Sequence, residues 1–128
     1  MNHRLGITII PTPITASYNC HCTRCQKARS AAHATNGFTV CDGVRFLRGE
    51  DNLTSFKLPG AQHFTQVFCK TCGSPMPRLD RNRDVAVIPY GGLDGAPDRY
   101  GDAHIYVGSK ASWHTISDDI EQFEERNG

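Results

Sequence analysis

The chain has no surplus of charge: 14 Lys and Arg stand against 13 Asp and Glu, for a formal net charge of +1. No block of Lys or Arg exceeds a pair of neighbours, so the electrostatic footprint of a nucleic-acid binder is missing. A small-molecule partner, or none, is expected instead. Long apolar runs are also absent, and nothing approaches the roughly 20 residues needed to cross a bilayer. The opening Met1-Asn2-His3-Arg4-Leu5-Gly6 lacks an apolar run followed by a small-residue cleavage site, so a cytoplasmic protein is expected. No internal repeat, low-complexity tract or linker is visible, and the expectation is one domain over residues 1–128. With only 38% hydrophobic residues its core is modest, and a metal staple would help it.

What is present is thiol. Five of the six cysteines fall into two clusters, Asn19-Cys20-His21-Cys22-Thr23-Arg24-Cys25 and Phe68-Cys69-Lys70-Thr71-Cys72-Gly73. A Cys-x-x-Cys turn brings two sulfurs to one zinc ion, and in a reducing compartment that spacing favours metal over disulfide. Gly73 suits the left-handed turn that closes a zinc knuckle, which marks Cys69 and Cys72 as a structural pair. Cys20, Cys22 and Cys25 offer three ligands from one short segment. Three protein ligands and an open position is the arrangement zinc uses for chemistry; the alternative is a structural zinc whose fourth ligand comes from elsewhere.

The rest reads as mainly β. Strands are expected at 5–10, 38–40, 44–47, 53–58, 62–68, 76–79, 85–88 and 103–107, separated by Gly, Pro and Asp turns in an antiparallel arrangement. Val85-Ala86-Val87-Ile88 is the most continuous apolar run and is expected to cross the middle of the core, buried on both faces. One short helix is expected over Gln26–Ala34, stopped by Asn36-Gly37. The acidic tail, with Ile120 and Phe123 three apart, predicts an amphipathic turn lying on the surface.

Among the remaining polar residues, His21 lies between two candidate ligands and is expected to point away from them into solvent. His104 is expected to be a hydrogen-bonded structural histidine, and His33, His63 and His114 surface or core-edge residues. Cys41 reads as a small buried apolar residue and Trp113 as a packing residue. Arg24 and Lys27 sit beside the first thiol cluster, either as partners for a ligand's carboxylates or as a solvated basic edge.

Taken together, Asn19 to Lys27, Gly49-Glu50, Phe68 to Pro75, Gly92-Leu93-Asp94, Ala103-His104-Ile105, Lys110 with Trp113, and Asp118 to Phe123 make the chain resemble the glutathione-dependent formaldehyde-activating enzyme family. The resemblance implies a single-domain β-tent that binds zinc. It further implies carbon–sulfur bond formation between glutathione and formaldehyde, a carbon-sulfur lyase chemistry. It assigns Cys20, Cys22 and Cys25 to the catalytic zinc and Cys69 and Cys72 to a structural one. The family's opening Cys-x-Cys-Gly is replaced here, with His3 and Leu5 at the two ligand positions before Gly6, so at most one of those ligands survives. The alternative from another class is a non-catalytic, zinc-stabilised binding module, since fold alone does not fix function.

Overall fold

The computed structural model describes residues 6–9, 13–61 and 64–126. Its centre is a five-stranded sheet in the order β7 (Arg78–Asp80), β8 (Val85–Pro89), β3 (Ala34–Thr39), β2 (Ala16–Cys20) and β9 (Ala103–Ile105). Two smaller antiparallel pairs flank it. One joins β1 (Gly6–Ile9) to β4 (Val44–Arg48), and the other joins β5 (Leu53–Lys57) to β6 (Thr65–Cys69). With α1 (Thr23–Arg29) as its one short α-helix among the described residues, the chain is mainly β, as the spacing of turn residues implies.

Side chains opposite one another in register share a face of the sheet, and neighbours along a strand alternate between faces. Ser17 lies opposite Gly37, Gly37 opposite Ile88, and Thr39 opposite Ala86. Ala86 and Ile88 are buried there with Val44, under Phe46, Leu79, Tyr90 and Leu93. The other face carries Tyr18 opposite Asn36, Cys20 opposite Ala34 and Ile105, and Phe38 and Arg78 opposite Val87. This second face is the one that α1 and the β5–β6 pair roof over.

The structure departs from the expected layout in five places. The pairing is not wholly antiparallel, because β2 runs parallel to β9. Such pairs need a long connection rather than a tight turn, and more than 80 residues separate these two strands. Asn36-Gly37 does not stop a helix but sits inside β3, where a side chain at 37 would collide with the Tyr90 ring. The strand β8 lies between β7 and β3, and β3 takes the middle. Ala86 and Ile88 are buried, but Val85 and Val87 only partly so. The tail forms no amphipathic turn: it is extended, with Gln122 bridged in parallel to His104 and the Phe123 N–H donating to the His104 carbonyl at 2.9 Å. The free edge of β9 would otherwise leave backbone groups unpaired, and the tail satisfies them.

The fifth departure concerns the helix, which begins three residues earlier than expected and ends sooner. Cys22, in extended conformation, caps it by accepting the Cys25 N–H on its Sγ at 3.3 Å. Ser30 ends it in the left-handed region at φ 50°. No helix of the described residues is long and apolar enough to cross a membrane.

Candidate metal centre

Cys20 ends β2, Cys22 caps α1, and Cys25 lies in the first turn of that helix. A strand that stops directly beside a helix start folds the three thiols together, and their sulfurs all lie within 4.8 Å of one another. Zinc with sulfurs at 2.3 Å places them about 3.8 Å apart, so this group could close around a metal with small side-chain rotations. Three soft thiolates suit zinc among the common metals. Among the described residues no other cluster of three or more His, Cys, Asp or Glu is gathered in this way.

The thiols already share protons unequally. Hydrogen bonding from Cys20 and then Cys25 drives Cys22 down to about 2. Cys20 rises to about 11, chiefly because its proton is held toward Cys22, and Cys25 is pushed up by Cys20 and Cys22 in turn. Hydrogen bonds within the triad favour the ionised form of Cys22 and the protonated forms of Cys20 and Cys25, and a metal ion would displace the remaining protons.

Beneath the cluster runs a chain of hydrogen bonds absent from the expectations above. His21, expected in solvent, has no exposed surface. Strand alternation turns it to the face opposite Cys20, where its Nε2 meets His104 Nδ1 at 2.8 Å. His104 Nε2 reaches both carboxylate oxygens of Asp118 at 3.1 Å. A carboxylate only accepts, so His104 holds a proton on Nε2 toward Asp118, and one proton is shared between His104 Nδ1 and His21 Nε2. His21 Nδ1 is buried without a partner. Burial and then the neighbouring His33, His104 and His114 hold His21 down at about 4, so it is neutral at physiological pH. The Gln26 side chain adds a further tie, donating to the His21 carbonyl at 2.7 Å and the Ser109 carbonyl at 2.9 Å. The Cys-His-Cys segment is thereby held on both sides.

His104 is the hydrogen-bonded histidine it was expected to be. His33 and His114 are not isolated: their rings lie 4.8 and 5.9 Å from that of His21. Trp113, expected to pack, is instead 72% exposed. Cys41 is buried, as expected of a small apolar residue. His63 and His3 lie outside the described residues, as does Leu5.

A cavity of about 190 Å³ opens beside the thiols. Cys20, Cys25, Arg29, Asn36 and Arg78 supply its chemistry, and Tyr18, Phe38, Phe64, Val87 and Ile105 give it largely apolar walls. Arg24 and Lys27 do not line it. They are exposed along a neighbouring groove of about 530 Å³ between α1 and Phe56, Leu58 and Phe64. Arg29, which sequence reasoning overlooked, is the basic residue of α1 that faces the sulfurs. The helical period was the available signal, since positions 25 and 29 are four apart and share a face.

The second thiol pair looks different. Gly73 adopts the expected left-handed φ of 76°, and its N–H donates to the Cys69 carbonyl at 2.8 Å. Cys69 is buried against Met76, Phe46, Leu53 and Val67, whereas Cys72 is exposed and its thiol donates to Ser74 Oγ at 3.2 Å. No third ligand joins them among the described residues. All six cysteines are free thiols.

The chain is mainly β, with three convergent sulfurs that could hold a metal ion at a strand-to-helix junction and a small cavity beside them. The sequence matches the model of the glutathione-dependent formaldehyde-activating enzyme family over residues 4–109, and the chain belongs to that family. No curated protein matches it. A crystal structure of a Rhodobacter sphaeroides structural-genomics protein has a similar fold, with 19% identity and a TM-score of 0.50 over 73% of this chain and 82% of that one.

Proposed function

We propose that the protein is a zinc-dependent enzyme of carbon–sulfur lyase type that joins glutathione to formaldehyde or a related small electrophile. The family supports chemistry with glutathione and formaldehyde. The observation that carries the reading is that three cysteine sulfurs within 4.8 Å of one another belong to the segment bordering a cavity, not to a closed core. Zinc held there would supply the positive charge that turns an incoming thiol, of ordinary pKa about 8.5, into a thiolate at neutral pH.

In the reaction one bond forms, between the thiol sulfur and the formaldehyde carbon. The carbonyl π pair moves onto oxygen, which takes a proton from water, and the thiol's own proton leaves to solvent. The chain's residues perform the supporting work. His21, His104, Asp118 and Gln26 keep the sulfurs in register, and the apolar walls reduce water around the nucleophile. The same reading gives Cys69 and Cys72 to a second, structural zinc.

Exchange spectroscopy on glutathione and formaldehyde mixtures, with and without the zinc-loaded protein, tests this. Accelerated adduct exchange is expected, and an unchanged rate would remove formaldehyde as the substrate.

A further inference from the structure

The thiol cavity contains a cation for which the described residues provide no counter-carboxylate. Arg29 lines it together with Cys20 and Cys25, and one terminal nitrogen of its guanidinium donates to Asn36 Oδ1 at 3.0 Å. Its Nε is buried with no hydrogen-bond partner. Among the described residues no Asp or Glu makes an ion pair with it, whereas Arg78, Arg83 and Arg99 each have one. A guanidinium presents five donors in a rigid fork, and leaving a buried one part-satisfied is costly. Burial pulls its pKa down, with Cys25 and then Cys20 acting in the opposite direction.

The cavity's shape narrows what could complete this pairing. At about 190 Å³ it is smaller than the roughly 300–1,000 Å³ of pockets that enclose a drug-sized ligand, so it takes part of a tripeptide thiol and not the whole. Ala28, Phe64 and Gln66 form a wall shared with the outer groove where Arg24 and Lys27 stand. A larger thiol would therefore leave the inner cavity along that wall.

Resting on the thiol-binding reading above, we infer that Arg29 is the carboxylate-recognition residue of this site, so that the substrate is a thiol carrying an acidic arm that ends on the Arg29 fork beside Asn36. Arg78, on the edge strand of the same sheet face, also lines the cavity but is paired with Asp80 at 3.6 Å. Uncharged thiols would reach the sulfurs but leave the fork unmet.

The test is calorimetric binding of glutathione and of glutathione diethyl ester, which keeps the thiol and removes both carboxylates, to the zinc-loaded wild type, Arg29→Gln and Arg45→Gln, the last an exposed arginine that lines neither the cavity nor the groove. Wild type should bind glutathione at least about tenfold more tightly than the ester, the worth of one charge-assisted pairing. Arg29→Gln should lose most of that preference while holding its affinity for the ester within about twofold, and Arg45→Gln should keep the preference. Arg29→Lys, which retains charge and stem but not the fork, should fall between and serves if the Gln variant does not fold. Equal weakening of both ligands by Arg29→Gln would show that Arg29 only tempers the thiolates, and would overturn the inference while leaving thiol binding intact. Failure of the wild type to bind either thiol would overturn the thiol-site reading itself.

Discussion

The two cysteine clusters begin from the same Cys-x-x-Cys unit and end in different environments. Cys22 and Cys25 straddle a helix start beside the end of a central strand, which adds Cys20 and a cavity. Cys69 and Cys72 straddle a hairpin turn, where one sulfur faces a small apolar core and the other faces water. Spacing alone therefore sets how far apart two sulfurs lie. Whether they meet a third ligand and a space for substrate depends on which elements the fold packs against them.

Breaking the first cluster should have the largest effect. Cys22→Ser removes a thiol of the triad that also caps α1, and it should cost about 10³-fold in the rate of adduct formation together with the associated zinc, with the β circular dichroism signal retained. Metal analysis before and after the substitution checks this, and loss of the fold would reverse the roles of the two clusters. The equivalent change in the second cluster, Cys72→Ser, should leave activity within about twofold if that pair is structural.

Acid should separate the two regions next. His21 sits at about 4 in the folded chain against 6.5 when free, so the unfolded state binds its proton more readily. Stability from this residue is then complete above pH 6.5 and is lost as the pH falls toward 4, by at most about 3 kcal/mol. Denaturant midpoints from pH 7.5 to 4.5 measure this. In a His21→Asn variant the slope over that interval should flatten whatever its absolute stability, and an unchanged slope would remove His21 as its source.

Smaller effects sharpen the second cluster. Cys69→Ala should cost about 1 kcal/mol through lost packing against Met76 and Val67, even in metal-free protein. Cys72→Ser, at an exposed site, should change metal-free stability by less than about 0.5 kcal/mol. Alkylation mapped by mass spectrometry gives an independent measure: Cys72 should react well before Cys69 or Cys41, and adding zinc should protect Cys72 only if the second pair holds a metal.

Much of the fold was legible in advance, because alternating β-branched and aromatic residues between Gly, Pro and Asp turns identify strands by a local rule. The errors share a cause. Asn36-Gly37 looked like a helix stop because its local chemistry favours turns, yet Tyr90, more than 50 positions away, requires the bare glycine within a strand. His21 looked exposed because its neighbours were ligands, yet β9 brings His104 beneath it. The tail's apolar spacing suggested a turn, but the open edge of β9 recruited it as extended chain. Arg29 escaped notice because a basic residue near the end of a short helix commonly serves only the helix dipole.

The amino-acid order by itself determined the ligand types, their spacing and the β character of the chain, since each depends on residues within a few positions of one another. Tertiary structure alone decided that Cys20 turns to the cavity side while His21 turns to the other, that Asp118 and His104 support the segment between them, and that an arginine with no carboxylate partner among the described residues faces the sulfurs. Those outcomes depend on strands and loops far apart in sequence coming into register, and no local pattern encodes that pairing.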